Sequence, residues 1–374
     1  MNRGLYIHIP FCHHICTYCD FAKRVSKIDL QEKYIDALIN ELKMYRESGF
    51  DFRKIQTIYI GGGTPSSIPL ALLNKLLTYL DSIIDLKKLA EFSIEVNPED
   101  LSDELSTSLN SFAVTRVSIG IQTFSPRLLK LLNRNFDEAK FIANYKHLKS
   151  LIPNINLDLM YAIPTQTIDD LKESLDKAMA LEPTHLSIYS LILEEKTALY
   201  HMVKANELEL VSEDLEMEMV KLINDLVTPV FPKYEVSNYA KPGYESKHNL
   251  LYWNNEEYLG IGLSSASYID GVRYQNTIDL KTYLASISNL KFPIVDREVL
   301  SKYHEKQYHL ILGFRKSQGI NLMDYMMRFQ SSIYQDFTEL AEFLRLGYFE
   351  EIDGFVRIKK DYFYVMNYLL ERII

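Results

Sequence analysis

The sequence is poor in cysteine: its 374 residues include three, and all three lie between positions 12 and 19. An odd number of closely spaced cysteines argues against a framework of disulfide bonds. It is typical of a reducing compartment, where clustered thiols serve as metal ligands or catalysts. We therefore expect a cytoplasmic protein with one thiol-based site near its N-terminus.

Long apolar runs and basic stripes are absent as well. No run of about 18 consecutive apolar residues occurs, which predicts no membrane span. The apolar segment Leu5–Phe11 is too short for a signal peptide and leads straight into the cysteines. The net charge is −9, and no long Lys/Arg stripe is present, so we expect no binding to nucleic acid.

Strand-like and helix-like segments alternate over the first two-thirds of the chain. Six repeated βα units predict a parallel sheet, because parallel strands need crossover connections. A closed or partly closed barrel is favoured over an open doubly wound sheet. The predicted strands are Leu5–Ile9, Ile55–Ile60, Phe92–Val96, Arg116–Ile121, Ile155–Met160 and His185–Leu191, and the predicted helices are Leu30–Tyr45, Leu70–Ile84, Asp103–Leu109, Pro126–Leu148 and Asp169–Leu181.

The character of the sequence changes after about Leu210. A helix at Glu213–Val227 precedes a segment rich in Tyr, Asn and Gly, and a compact C-terminal region follows. This region is predicted to contain helices at Lys302–Arg315, Leu322–Phe329, Ile333–Leu346 and Tyr362–Ile373 and a hairpin around Asp353-Gly354. We therefore predict a barrel domain at 1–230, a mixed α/β extension at 231–300 and a helical, winged-helix-like domain at 301–374.

The three cysteines, Cys12, Cys16 and Cys19, have the spacing Cys-x3-Cys-x2-Cys. Iron–sulfur clusters normally use four thiolates, so three would leave one iron of a [4Fe–4S] cluster open to another ligand. A zinc site that recruits His13 or His14 is an alternative. Three buried structural cysteines are a second alternative, which the polar, loop-like surroundings disfavour.

This stretch resembles the radical S-adenosylmethionine (SAM) superfamily, whose signature is Cys-x3-Cys-x-aromatic-Cys, with Tyr18 at the aromatic position. The resemblance implies a partial (β/α)6 barrel that holds a [4Fe–4S] cluster with SAM on its open iron. In this superfamily the reduced cluster cleaves SAM to methionine and a 5′-deoxyadenosyl radical.

Flanking motifs are similar to the HemN/HemW branch of that superfamily. Tyr6-Ile-His-Ile-Pro-Phe-Cys12 matches its first strand, and further matches follow at the ends of later predicted strands, where such barrels form their sites. Taken one at a time, the polar residues could instead form internal ion pairs or solvated strand ends. The residues that the resemblance assigns to SAM binding are Tyr6, Tyr18, Gly62, Gly63, Thr64, Glu95, Gln122, Arg134 and Asp158.

Three features favour the HemW pattern within the branch. Phe21 stands where the HemN dehydrogenases have a fourth cysteine, and a first strand beginning at about Gly4 leaves no room for their N-terminal arm. His248-Asn-Leu-Leu-Tyr-Trp253 matches a motif that the family associates with haem. The resemblance makes His248, Tyr252 and Trp253 haem-binding candidates; from residue types alone, packing at a domain junction is the alternative.

The resemblance implies a haem chaperone that binds haem and transfers it to an acceptor protein, such as a membrane haem protein. It carries a [4Fe–4S] cluster and SAM, and a flavodoxin or ferredoxin would reduce the cluster. A homodimer is compatible with it. The alternative is oxygen-independent coproporphyrinogen III dehydrogenase, which decarboxylates propionate side chains by radical chemistry; a tRNA-modifying radical enzyme is a more distant one, disfavoured by the acidic charge balance.

Overall fold

The computed structural model describes residues 3–374, which form one large mixed sheet, one small sheet and their covering helices. The strands are β1 (Arg3–Ile9), β2 (Ile55–Gly62), β3 (Glu91–Val96), β4 (Arg116–Gln122), β5 (Asn154–Tyr161), β6 (His185–Ser190), β7 (Asn238–Ala240), β8 (Glu257–Ile261), β9 (Ala266–Ile269), β10 (Val272–Asn276), β11 (Ile294–Val299), β12 (Ile320–Asn321), β13 (Phe349–Ile352) and β14 (Phe355–Ile358). The helices are α1 (Ile28–Glu47), α2 (Leu70–Ile83), α3 (Asp103–Ser111), α4 (Pro126–Leu131), α5 (Glu138–Leu151), α6 (Ile168–Ala180), α7 (Ala198–Lys204), α8 (Glu213–Leu226), α9 (Lys247–Trp253), α10 (Leu280–Ser288), α11 (Lys302–Gly313), α12 (Leu322–Phe329), α13 (Ile333–Asp336), α14 (Thr338–Arg345) and α15 (Met366–Ile373).

The large sheet has 11 strands in the order β11-β10-β9-β8-β1-β2-β3-β4-β5-β6-β7. Strands β1 to β6 pair in parallel, as predicted, and β8 adds a further parallel strand beside β1. The remaining pairs, β6–β7, β8–β9, β9–β10 and β10–β11, are antiparallel. Because β11 and β7 are the two ends of this order, backbone pairing leaves the barrel open.

The two faces of the parallel strands differ in chemistry, as the first strand illustrates. Leu5, Ile7 and Ile9 are fully buried in the main hydrophobic cluster, which includes residues of α1. Tyr6 and His8 alternate with them and therefore face the other side, the interior of the barrel. The apolar face thus packs against the helices, while the polar face is left to line a site.

The predicted helix Pro126–Leu148 was wrong in one respect, because the structure divides it into α4 and α5. Asn133 adopts a left-handed conformation with φ of 55°, which an α-helix does not accommodate. The Asp137 side chain then accepts a hydrogen bond from Lys140 N and starts α5. The break directs the short loop between the helices, including Arg134, towards the cysteines.

The C-terminal region has its own hydrophobic cluster, built from α11 to α15 and the sheet β12-β14-β13. Asp353 and Gly354 have positive φ of 52° and 79° at the predicted hairpin turn. The predicted helix Ile333–Leu346 is interrupted at Phe337 (φ −134°, ψ 84°). Strands β8 to β11 join the large sheet, and the domain boundaries at 230 and 300 stay predictions.

No helix within residues 3–374 is both long enough and apolar enough to cross a membrane.

Candidate functional site

A cavity of about 430 Å³ opens at the carboxyl ends of the parallel strands. The residues that line it come from the loop after β1, the ends of β2 to β4, the loop between α4 and α5, strand β5, and β6 with the segment that follows it. This end of a parallel barrel is where loops from successive strands meet. The three cysteines all line it, so residues far apart in sequence share one site.

The cysteine loop is fixed at both its base and its far side. At the base, Cys12 N donates to Arg24 O at 3.0 Å and Arg24 N donates to Pro10 O at 2.7 Å. On the far side, Thr17 N donates to Leu132 O at 3.2 Å, and Asn133 Nδ2 donates to Ile15 O at 2.8 Å. The loop between β1 and α1 is therefore held against α4.

Glycines bring the end of β2 close to the first cysteine. A Cβ atom on Gly63 would lie 2.8 Å from Phe11 O and 3.0 Å from Cys12 Sγ, both too close for a side chain. At Gly62 φ is +121°, and a Cβ there would lie 2.7 Å from the His8 ring. The Thr64 hydroxyl lies 3.8 Å from Cys12 Sγ. The backbone of this segment therefore packs directly beside the thiol, where Gly63 N donates to Ile9 O at 2.9 Å and Thr64 N donates to Phe11 O at 2.8 Å.

The three thiols are free and partly exposed, which argues against a purely structural role. Burial raises the pKa of Cys12 to about 11 and also raises the pKa values of Cys16 and Cys19, whereas the Arg134 guanidinium lowers those of Cys12 and Cys16. Since thiolates are the ligand form, metal binding must release these protons.

No three His, Cys, Asp or Glu side chains among the described residues come together as a site for a single metal ion. The zinc alternative therefore lacks its ligand set, and His13 Nε2 instead pairs with Asp100 Oδ1 at 2.7 Å. A four-iron cluster holds its thiolate ligands farther apart than one ion does. Three free thiols around one cavity fit a cluster of this kind.

Glu95 is one of two carboxylates on the floor of the cavity. It accepts hydrogen bonds from Tyr59 Oη and Gly62 N, both at 3.0 Å. Burial, with repulsion from Asp158 as the next cause, raises the pKa of Glu95 to about 7. The group therefore changes charge near neutral pH, which suits a site that binds a cationic ligand.

Asp158 is the second floor carboxylate. It accepts hydrogen bonds from Ser118 Oγ at 3.1 Å and Asn156 Nδ2 at 2.6 Å. Burial raises its pKa, and these hydrogen bonds together with the positive charge of Arg116 oppose that rise. Polar neighbours thus support a carboxylate that the sequence placed in an apolar strand.

Arg134 and Gln122 lie on the wall of the cavity. Arg134 is 9% exposed; its Nη2 donates to Asn97 Oδ1 at 2.9 Å, while its buried Nε has no partner among the described residues. Gln122 has φ of 69° and its Oε1 accepts from Tyr189 Oη at 2.6 Å. An unsatisfied guanidinium nitrogen and a strained backbone are both typical of ligand sites.

Eight of the nine residues predicted to bind SAM line the cavity; Tyr6 does not. The Tyr6 hydroxyl lies 3.0 Å from His8 Nδ1, and His8 Nε2 lies 2.9 Å from Ala22 O in the cysteine loop. Tyr6 thus supports the loop from below. Sequence reasoning did not identify Asn97 and Tyr189, whose side chains reach the site through their hydrogen bonds to Arg134 and Gln122.

The haem-binding candidates lie elsewhere, at the amino ends of the strands. His248 is fully buried; its Nδ1 is 2.8 Å from Thr57 Oγ1 and its Nε2 is 2.8 Å from Tyr252 Oη. Burial lowers the pKa of His248 to about 3. The Arg315 guanidinium carbon lies over the Trp253 ring, 5.8 Å from the ring centroid. The buried Nε1 of Trp253 has no hydrogen-bond partner among the described residues. Haem binding by these three residues stays a prediction.

Comparisons with known proteins agree with this architecture. The family model of the radical SAM superfamily matches residues 6–178. The heme chaperone HemW of Lactococcus lactis is 40% identical over 339 residues, covering 90% of this chain and 88% of the relative, and that of Bacillus subtilis is 35% identical, covering 88% of each. The structure of coproporphyrinogen III oxidase (HemN) from Escherichia coli, a radical SAM enzyme, is 20% identical with a TM-score of 0.85, covering 99% of this chain and 89% of that one, and confirms the predicted fold. The chain therefore belongs to the radical SAM superfamily and, within it, to the family of heme chaperone HemW.

Proposed function

We propose that this protein is a haem chaperone, which binds haem and transfers it to an acceptor protein while carrying a [4Fe–4S] cluster and SAM. The observation that carries the proposal is the single cavity lined by all three cysteines and eight of the predicted SAM contacts. The names of relatives at 40% and 35% identity point to haem as the cargo.

Each part of the cavity has a distinct role in this proposal. Cys12, Cys16 and Cys19 hold the cluster, which would supply an electron for the cleavage of SAM. Arg134 binds a ligand carboxylate, because a guanidinium pairs with it through two hydrogen bonds. Glu95, which faces the cavity, accepts hydrogen bonds from an ammonium or hydroxyl group of the ligand.

The proposal also includes the location of the protein, its domain boundaries and its partners. We infer a cytoplasmic protein with a barrel at 1–230, an extension at 231–300 and a C-terminal domain at 301–374. Its partners are haem, an acceptor such as a membrane haem protein, and a flavodoxin or ferredoxin as electron donor; a homodimer is compatible with the proposal. Phe21, where a fourth cysteine is expected in the dehydrogenases, favours the chaperone over coproporphyrinogen III dehydrogenase.

The test combines metal analysis with haem titration. The full chain is expressed and reconstituted anaerobically, its iron and sulfide are measured, and haem is added while the Soret band is followed. We expect about four irons per chain in the wild type, a large loss of iron in Cys16→Ser, and a haem-dependent Soret shift in the wild type.

Two results would contradict the proposal. One is a wild-type protein that is folded and loaded with iron yet leaves the Soret band of haem unchanged. The other is turnover of coproporphyrinogen III to protoporphyrinogen IX by the reduced protein with SAM, which would establish the dehydrogenase alternative.

A further inference from the structure

Cationic side chains gather around the end of helix α9, in a protein whose net charge is −9. Lys316 Nζ donates to Asn254 Oδ1 at 2.5 Å, and Arg328 Nη2 donates to Asn255 O at 2.8 Å. Arg273 Nη2 donates to Asn255 Oδ1 at 2.7 Å. Because the groups that accept these hydrogen bonds are neutral, the contacts position three positive charges without neutralising them.

Arg315 belongs to the same group of cations and has the fewest contacts of its own. Its guanidinium carbon lies 5.8 Å from the ring centroid of Trp253. In the part of the chain that the structure describes, no hydrogen bond or ion pair joins the Arg315 side chain to another residue, although the side chain is only partly exposed. A guanidinium stacked on an aromatic ring keeps its N–H groups free for a carboxylate, which it can bind through two parallel hydrogen bonds.

Lys316, the next residue, is held in place beside Arg315. The turn that carries it is fixed to the barrel side of the molecule, because Lys316 and Glu235 pair through the backbone. Burial lowers the pKa of Lys316, and the charges of Glu256 and Asp324 oppose that change, yet neither carboxylate forms an ion pair with the ammonium group. A partly buried ammonium group without a carboxylate partner is costly, and an anionic ligand would remove that cost.

The motif on α9 reaches the surface at this end of the helix. His248 is fully buried, whereas Trp253 is partly exposed and lies beside Arg315. The buried Nε1 of Trp253 has no hydrogen-bond partner among the described residues, which is typical of a ligand site. An aromatic ring beside two cations suits a flat apolar ligand that has carboxylates along one edge. Haem has this form, since both of its propionate groups lie on the same edge of the porphyrin.

We propose that the two propionate groups of haem bind Arg315 and Lys316, with the edge of the porphyrin against Trp253. The C-terminal region thereby completes the haem site that begins with the motif on α9. The proposal rests on the proposed haem-carrier function and adds the residues that recognise the carboxylates of the cargo. Arg328 keeps a structural role, because it donates to the carbonyl oxygens of Asn254 and Asn255 at the end of α9.

Haem and its dimethyl ester separate recognition of the carboxylates from binding of the ring. The ester lacks both negative charges and keeps the porphyrin and the iron. Each compound is titrated into the full chain in dilute detergent, which keeps both compounds monomeric. We expect the wild type to bind haem at least tenfold more tightly than the ester, because hydrogen bonds between charged groups are lost in the ester.

Arg315→Gln and Lys316→Gln test the two cations one at a time. Each variant should bind haem about tenfold more weakly than the wild type does, since each loses one charged partner of a propionate. The affinity of each variant for the dimethyl ester should stay at the wild-type value. Arg315→Lys, which keeps the charge but not the paired N–H groups, should recover part of the affinity for haem.

Arg372→Gln is the matched control. Arg372 also stacks on an aromatic ring in the C-terminal region, with its guanidinium carbon 4.3 Å from the ring centroid of Tyr368, and the substitution removes the same charge. This variant should bind haem as the wild type does. Iron per chain and the midpoint of urea unfolding are measured for every variant, so that loss of the fold is not mistaken for loss of haem binding.

Three results would overturn the proposal. The wild type binds the ester as tightly as haem, or Arg315→Gln and Lys316→Gln bind haem like the wild type, or these variants lose the same factor for the ester as for haem. A folded wild type that binds neither compound would instead reject the proposed function itself.

Discussion

The affinity for SAM should depend on pH through Glu95. Its pKa of about 7 is raised first by burial and then by repulsion from Asp158. A cationic ligand such as SAM prefers the ionised carboxylate, so below pH 7 a proton must leave Glu95 when the ligand binds. Each pH unit below the pKa then costs about 1.4 kcal/mol, or tenfold in the dissociation constant. At about pH 5.5 we expect binding roughly 30-fold weaker than its alkaline limit.

Glu95→Gln should remove this dependence. The amide cannot ionise, so the dissociation constant should stay nearly flat between about pH 5.5 and pH 7, and at about pH 8 it should be at least tenfold higher than in the wild type. Tyr59→Phe is the control, because it keeps the carboxylate but deletes a hydrogen bond that lowers its pKa. Its slope should persist and move to higher pH.

Equilibrium dialysis of labelled SAM against the anaerobically reconstituted protein measures these constants at each pH. Iron content and circular dichroism at every pH verify that the cluster and the fold are intact. A wild-type dissociation constant that does not change with pH, or a Glu95→Gln variant with an unchanged slope, would refute the assignment of Glu95 to the ligand.

Three further changes test the surroundings of the site. Arg116→Gln removes a buried charge that lowers the pKa of Glu95, so the midpoint of the SAM affinity curve should move to higher pH in the same dialysis. Glu41 is fully buried, and burial raises its pKa from 4.5 to about 7. The stability that Glu41 contributes is therefore fully present below pH 4.5 and lost as the pH rises through 7. Relative to Glu41→Gln, the free energy of urea unfolding should fall by about 3 kcal/mol across that window. Gly63→Ala would push a methyl group against Phe11 O and Cys12 Sγ, so both iron per chain and the unfolding midpoint should fall relative to the wild type.

The parallel core could be predicted because short β-branched runs alternate with helical spacing. Each of the six predicted strands corresponds to an observed strand, with ends that differ by no more than two residues. The break between α4 and α5 could not be predicted from apolar spacing, since Leu131 and Leu132 continue the helical pattern and no Gly or Pro interrupts it. Its physical cause is local: Asn133 tolerates a left-handed conformation, and Asp137 caps the next helix.

Site residues that stand out within a strand could be predicted from the sequence, whereas residues that reach the site only through tertiary contacts could not. Glu95 and Asp158 could be identified because a carboxylate within an apolar strand needs a reason to be there. Asn97 and Tyr189 are ordinary residues in sequence. Only the tertiary fold brings Asn97 to Arg134, in the loop between α4 and α5, and Tyr189 on β6 to Gln122 on β4, two strands away. A single sequence does not reveal such contacts.

Helix α9 carries the motif that is predicted to bind haem, and the same residues close one end of the barrel. His248 and Tyr252 are four residues apart, so they share a face of the helix and hydrogen-bond to each other. Buried Glu91, at the start of β3, accepts hydrogen bonds from Ser246 Oγ at 3.2 Å and from Lys247 N at 2.7 Å, which fixes the beginning of α9 across the amino ends of the strands. The motif residues thereby close the end of the barrel opposite the cysteines. A helix anchored in this way supports the barrel from the end opposite the cysteines, and haem binding by His248 stays a prediction beside this structural role.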